Sequence, residues 1–593
     1  MTYRAPVTEM LFMMRHIGEF ERAIDDGTYA DLSIDVVDNI LQEAARFSGE
    51  VLAPINRPGD RHGVQLHDGA VTTAPGFKDA YQAWIGGGWN SLAGPAEYGG
   101  QSLPLLLNAG CSEMWSGACL AFGVAPLLTF GGVEALAAHG SEDLKQRYLG
   151  KLVAGEWTAT MNLTEPQAGS DLSAIRTRAE LCADGSYRIS GQKIFISYGE
   201  HDLTDNIVHL VLARLPNAPK GTRGISLFLV PKVLPDGSRN DVRCSSLEHK
   251  LGIHASPTCT MIYGDAGGAR GWLLGEENRG LGCMFTMMNS ARLSVALQGV
   301  AVAERAYQDA IAFAGERRQG ASPIHNGNGM MPIIEHADVR RMLATMRGLT
   351  NAARAIAYAT AAAIDRSHRC QDSAERQAAS DRAALLTPVA KAFATDIAVE
   401  VASLGIQVHG GMGYIEETGA AQHLRDARIL SLYEGTNGIQ AIDLVTRKLP
   451  LSGGETVRRQ IDAMRQIAGR LANTDCTSLQ AAAPQIGKVI DSLERATRFM
   501  LGVLVENATE EALAGATPYL RLFATAQGGA LLGASALAAH RAASAGENDP
   551  ANAGRVKLAR FYADNIVPSA TGLADVVVGG AASLKDAQRM LVE

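Results

Sequence analysis

The apolar periodicity of this chain changes twice, and that switch constrains the fold more than any other feature. Up to about residue 157, apolar residues recur three or four apart. In "SIDVVDNILQEAARFSGEVLAPIN", Val36, Ile40, Ala44, Phe47 and Val51 share one helical face. Pro54 is expected to end that helix. "GWNSLAGPAEYGGQSLP" (88–104) is dense in Gly and Pro and reads as a loop. Near Trp157 the texture changes. "SYRISGQKIFIS", "NIVHLVLARL" and "RGISLFLVPK" are short β-rich runs bounded by turn residues. Ile225, Leu227 and Leu229 alternate with Ser226, Phe228 and Val230, the pattern of a strand buried on both faces. Helical spacing returns after Gly280. In "TPVAKAFATDIAVEVASLGIQ", Thr387 and Pro388 predict a helix start, with Val389, Phe393, Ile397, Val401 and Leu404 as its apolar stripe.

This order predicts an α+β multidomain protein. An N-terminal extension (1–35) precedes a helical domain (36–157). A middle β-barrel or sandwich (158–285) and a C-terminal helical bundle (286–448) follow. "KLPLSGGET" (448–456) reads as a linker, and 455–593 as an additional helical domain without a catalytic motif. The chain's 593 residues, 47% apolar and 20% charged, suit several buried cores. A formal net charge of -8 argues against nucleic acid or an anionic membrane as the main partner. The eight cysteines form no C-x-x-C pair, so a metal site has no support and thiols in a reducing compartment are expected. The first residues lack the pattern of a secretory signal. No uninterrupted apolar run reaches the ~18 residues of a membrane span. The expectation is a soluble, cytoplasmic chain.

Three segments carry chemistry. In "MNLTEPQAGSD" (161–171), Thr164, Ser170 and the Gly169 backbone can bond a polar cofactor. In "QVHGGMGY" (407–414), glycines let the backbone approach a ligand and offer N–H groups to a diphosphate. Each alone also fits an ordinary turn. In "LYEGTNGIQ" (432–440) a lone acid, Glu434, sits between apolar flanks beside Gly435. A carboxylate in such surroundings has a raised pKa and is a stronger base.

Taken together, "TEPQAGSD", "GQKIFIS", "QVHGGMGY", "LRDARI" and "YEGTNGIQ" resemble the acyl-CoA dehydrogenase family in order and spacing, over about residues 36–448. The first 35 residues, "KLGIHASPTCTM" and the C-terminal extension resemble its enlarged subfamily, which acts on methylthiopropanoyl-CoA or fatty acyl-CoAs. The resemblance implies an FAD enzyme that converts an acyl-CoA thioester to its trans-2-enoyl-CoA. Glu434 matches the base that removes the α-proton while the β-hydride leaves to the flavin N5. The Glu434 N–H and a flavin ribityl hydroxyl would polarise the thioester carbonyl. By the same match, Thr164 and Ser170 would hold FAD, with Ser170 also near CoA. Phe195 stands where relatives carry a tryptophan against the flavin, and Ser197 where they carry threonine. Arg317, Gln407 and Gly411 match residues that contact a neighbouring subunit's FAD, which implies at least a homodimer. Thr436 would face FAD. Asn289 and Arg292 match substrate-binding positions, with Asn289 where relatives often have Asp. An electron-transfer flavoprotein is the implied acceptor. An acyl-CoA oxidase on the same fold, or a non-catalytic flavin- or CoA-binding scaffold, are the alternatives.

Overall fold

A computed structural model describes residues 3–29, 32–321, 329–584 and 587–592. Helices at both ends of the chain flank a single block of strands, which gives the acyl-CoA dehydrogenase-type arrangement: N-terminal helices, a middle β-sheet domain, C-terminal helices and an extra helical segment. Two short strands, β1 (Gln65–His67) and β2 (Ala70–Thr72), form an isolated hairpin. The middle domain holds β3 (Thr158–Asn162), β4 (Arg178–Leu181), β5 (Tyr187–Ser197), β6 (Ile207–Ala213), β7 (Ser226–Pro231), β8 (Val242–Leu247), β9 (Thr258–Tyr263) and β10 (Ala269–Leu274). Their order is β3-β6-β7-β10-β5-β9-β8, with β4 also on β5.

Period-2 alternation explains why β6 and β7 are buried on both faces. Leu210, Leu212, Leu227 and Leu229 join the main core beneath the helices. Val211, Ala213, Phe228 and Val230 point the other way, into a second core with Ile189, Cys259 and Met261. The sheet curls around this second core. Its end strands β3 and β8 are not paired with each other, so the expected barrel or sandwich is a curled, open sheet.

Three long helices, Gly280–Glu316, Ala337–Arg369 and Ser373–His409, form the bundle behind the sheet. Three local expectations need correcting. Val36 is 43% exposed, and the buried stripe of helix Ile34–Phe47 is Val37, Leu41, Ala44 and Phe47. Pro54 does not stop the chain: a wide turn at Ser48–Leu52 leads into helix Ala53–His62, where Pro54 sits in the first turn and its missing N–H costs nothing. Thr387 and Pro388 lie in mid-helix. Helix Ser373–His409 starts instead after Asp372, whose carboxylate accepts from the Glu375 N–H. The Thr387 hydroxyl donates to the Ala383 carbonyl, and burial of both residues holds the helix through the proline.

The segment after Pro450 bends through left-handed Ser452, Gly453 and Gly454, and helix Glu455–Ala472 follows. The later helices are not set apart from the rest. Tyr519, Leu522, Phe523 and Tyr562 belong to the same core as Ala352 and Ile356. Helix Ala516–Ser544 comes so close to helix Ala337–Arg369 that a Cβ on Gly528 would lie 2.9 Å from Ala352 Cβ. Helices Leu120–His139 and Ala516–Ser544 are each long and apolar enough to cross a membrane. However, 67% and 89% of their apolar windows are buried inside the protein, which makes them core helices.

Candidate active site

Glu434 lies at a bend between helices Ala420–Leu430 and Asn437–Asp443. The sequence points to Gly435 as the hinge. In the structure Glu434 is itself left-handed (φ 56°), followed by Gly435 at φ 81°. A left-handed glutamate is strained, and such outliers persist only where the surroundings enforce them. Here they do. The Lys391 ammonium donates to the Gly435 carbonyl and to Asn437 Oδ1, both at 2.9 Å. Gln440 Nε2 donates to the Glu434 carbonyl at 3.1 Å. Thr436 caps the next helix, its hydroxyl accepting from the Ile439 N–H. No acceptor among the described residues takes the Glu434 N–H.

Burial raises the Glu434 pKa to about 7, against the opposing pull of Lys391 and Arg292. Lys391 is fully buried, and burial pushes its own pKa down to about 8 although Glu434 and Asp396 favour its charge. Arg292 Nη1 pairs with Asp443 Oδ2 at 3.2 Å. The ion pair that Asn289 cannot supply therefore comes from the helix after the bend. Asn289 itself is exposed, one turn earlier on the Arg292 helix. Tyr433, next to Glu434, donates its hydroxyl to Gln298 Oε1. Gln298 lines a cavity of about 40 Å³ with Trp84, Trp115, Ser116, Leu127 and Phe130. Lys391, Asp443 and Gln298 escaped the sequence reading. Its one available signal was a lysine inside the apolar run Val389–Phe393.

The second group forms on the sheet. Thr164 follows β3, and its carbonyl accepts from the Ile194 N–H at 2.9 Å. That contact places the Thr164 loop against a bulge of β5, between Lys193 and Ile196. Phe195 occupies the bulge at φ 60° and is 58% exposed. Ser197 pairs with Thr258 two residues on, and Ser170 is exposed at the far end of the loop. Buried Glu165 anchors the loop. It accepts from Lys193 at 2.9 Å, Thr177 Oγ1 at 2.6 Å and the Arg176 N–H at 2.6 Å. Burial opposes its ionisation, but Lys193 and these hydrogen bonds outweigh that and bring its pKa to about 2. An exposed aromatic face beside polar Thr164 and Ser197 fits a flat, polar-edged ring system such as a flavin.

The third group, Arg317, Gln407 and Gly411, is exposed. Phe313 and His409 bring its two segments together, with ring centroids 4.5 Å apart. Arg317 is about seven turns beyond Arg292 on the same helical path, roughly 37 Å at 1.5 Å per residue. The structure thus gathers Glu434, Arg292 and Thr436 in one place, Thr164, Phe195 and Ser197 in a second, and Arg317, Gln407 and Gly411 in a third.

Comparison with known proteins matches this arrangement. Models of the acyl-CoA dehydrogenase N-terminal, middle and C-terminal domains match residues 37–156, 160–266 and 278–449. A model described as acetyl-CoA dehydrogenase C-terminal-like matches 459–588. The chain is 45% identical over 575 residues to 3-methylmercaptopropionyl-CoA dehydrogenase of Ruegeria pomeroyi, covering 96% of each chain. It is 34% identical over 599 residues to a butyryl-CoA dehydrogenase of Syntrophomonas wolfei, again covering 96% of each. An acyl-CoA dehydrogenase of Bacillus anthracis, solved with FAD, superposes with a TM-score of 0.73 at 22% identity, covering 95% of this chain and 92% of that one. The chain belongs to the acyl-CoA dehydrogenase family, whose enzymes are FAD-dependent flavoproteins.

Proposed function

We propose that the enzyme oxidises a short acyl-CoA thioester between Cα and Cβ, with Glu434 as the base, and passes the electrons to an electron-transfer flavoprotein. The carrying observation is the half-buried Glu434 carboxyl, held on a left-handed bend with its pKa raised to about 7 and next in the chain to Tyr433, which bonds the cavity-lining Gln298. Substrates of the type named for the Ruegeria relative, with a methylmercaptopropionyl group, fit a cavity of about 40 Å³ better than a long hydrocarbon tail does.

The chain's residues would act as follows. Glu434 accepts the α-proton, and its raised pKa makes it a competent base near neutral pH. The unpaired Glu434 N–H is available to the thioester carbonyl oxygen, where negative charge develops as the proton leaves. Lys391 and Gln440 pin the bend, so the base does not have to be ordered during the reaction. Arg292, held by Asp443, would bind the substrate. Thr164, Ser170, Phe195 and Ser197 would hold the flavin ring, and Phe195 would exclude water from its face. Arg317, Gln407 and Gly411 would reach the FAD of a second protomer. Bound FAD supplies the acceptor for the hydride that leaves Cβ.

The test is anaerobic stopped-flow mixing of enzyme with short, long and thioether-containing acyl-CoAs. A short acyl-CoA should bleach the flavin absorbance. Glu434→Gln should slow that step by about 10²–10⁴ while FAD stays bound. Reduction by the Gln variant at the wild-type rate would place the base elsewhere.

A further inference from the structure

Two buried donors line one cavity, and neither has a protein acceptor among the described residues. Trp115 is 4% exposed, on helix Leu105–Ala118, and its indole N–H is unpaired. Gln298 is 1% exposed; its Oε1 accepts from the Tyr433 hydroxyl, which fixes the amide, and its Nε2 has no acceptor among the described residues. Both side chains line the same cavity of about 40 Å³. Tyr433, the chain neighbour of Glu434, bonds Gln298 in the wall of that cavity. An acyl chain with its α-carbon at Glu434 would put its distal atoms there. A pocket meant for hydrocarbon should present no unpaired donors, since an alkyl tail leaves them buried and unsatisfied. The aromatic lining adds a second preference. Trp84 and Trp115 meet edge-to-face with centroids 4.2 Å apart, and divalent sulfur packs favourably against aromatic rings.

We infer that Trp115 and Gln298 are specificity determinants, selecting a short acyl group with a sulfur or oxygen acceptor beyond Cβ over an all-carbon chain of equal length. The inference rests on the dehydrogenase reading above. It adds which residues choose the substrate and by what chemistry. The indole N–H and the Gln298 amide donate to the heteroatom lone pairs, and no bond is made or broken in this step. A thioether is a weak acceptor and an ether a stronger one, so both should be preferred over methylene, through different mixtures of hydrogen bonding and ring contact.

Three probes of matched length test it: 3-(methylthio)propanoyl-CoA, 3-methoxypropanoyl-CoA and pentanoyl-CoA. Anaerobic flavin reduction gives an apparent second-order constant for each. For wild type, the thioether and the ether should each exceed pentanoyl-CoA by about threefold to tenfold, the worth of one neutral hydrogen bond. Trp115→Phe keeps an aromatic wall and deletes the N–H. Gln298→Glu keeps an acceptor for Tyr433 and deletes the donor. Each variant should move the ether-to-pentanoyl ratio toward one. Trp115→Phe should spare part of the thioether preference, because the ring remains. Equal wild-type constants for the three probes would overturn the inference. So would ratios unchanged in both variants while the flavin is still reduced. If none of the three probes reduces the flavin, the dehydrogenase reading fails, and this inference with it.

Discussion

As the proposed base, Glu434 would have to be charged to act, yet it sits where charge is disfavoured. Its folded pKa of about 7 lies above the ordinary value of 4.5. Between those values the folded chain binds more protons than the unfolded one. Stability from this group is therefore present below about pH 4.5 and is lost as pH rises through about 7. Activity has the opposite sign, because the base works only when ionised. The rate constant for flavin reduction divided by Kd should fall with a single ionisation as pH drops below about 7. Glu434→Gln cannot ionise and should melt higher than wild type at about pH 8, with the gap closing toward about pH 5. Scanning fluorimetry across that range checks both halves; a gap that widens toward acid would mean the carboxylate is stabilised in the fold. At this scale the sequence reveals what is local. A lone acid between apolar flanks marks the bend. It could not reveal that Arg292 finds its acid in Asp443, 151 residues away, or that Lys391 holds the turn's carbonyl. Those partners meet only through tertiary packing.

Among the elements, helix Leu105–Ala118 shows how one can be started from elsewhere. Pro104 precedes it and has no capping side chain. The carboxylate of Asp365, 3% exposed in helix Ala337–Arg369, accepts from the Leu105 and Leu106 N–H groups, both at 2.8 Å. It also accepts from the Tyr29 hydroxyl at 2.8 Å. Three donors thus converge on one buried acid, two of them at the positive end of the helix that carries Trp115. Burial raises its pKa, and these hydrogen bonds oppose that. Asp365→Ala should destabilise the protein by about 2–3 kcal/mol, the cost of charge-assisted bonds lost with their donors left buried. Asp365→Asn, which keeps one acceptor, should cost about half as much. Thermal melts of the two variants check the order. The same borrowing explains why element types were legible in the sequence and some boundaries were not. Period-3.6 and period-2 runs located the helices and the strands of the sheet. The local stop sign at Pro54 misled because a wide turn absorbs it, and the start sign at Thr387 and Pro388 misled because burial carries the helix through the proline. Val36 misled because over the first turns the buried positions are Val37 and Leu41, one residue later than expected, before the stripe rejoins Ala44 and Phe47.

Over the whole molecule, both ends of the chain are tied into one core. Glu9, near the N-terminus, pairs with Arg555 at 3.0 Å, and the Arg555 guanidinium lies 3.7 Å from the centre of the Phe12 ring. The C-terminal helices are thus packed into the body of the enzyme. The same scale bears on assembly. Helix Gly280–Glu316 carries Arg292 beside the base, and Arg317 follows its far end, roughly 37 Å along the helical path. Arg317 is exposed and has no ion-pair partner among the described residues. On the proposed reading, in which the flavin ring would face Glu434, a residue that far away would be poorly placed to serve the FAD of its own protomer and better placed to serve a neighbour's. Mixing two inactive variants separates these cases. Take Glu434→Gln and Arg317→Ala protomers, each carrying a different affinity tag. Refold or exchange them together and isolate the mixed dimers. If Arg317 acts in the neighbour's site, a mixed dimer has one site with both defects and one site with none. Activity should then return to about half the wild-type level per mixed dimer, as isologous pairing requires. If Arg317 acts in its own site, each site keeps one defect, and the mixture should show only the average of the two parent variants. Removing the charged contact should also lower FAD occupancy in the Arg317→Ala homodimer. Mixed dimers that regain occupancy in one site, read by flavin absorbance per protein, would support the shared site independently of turnover.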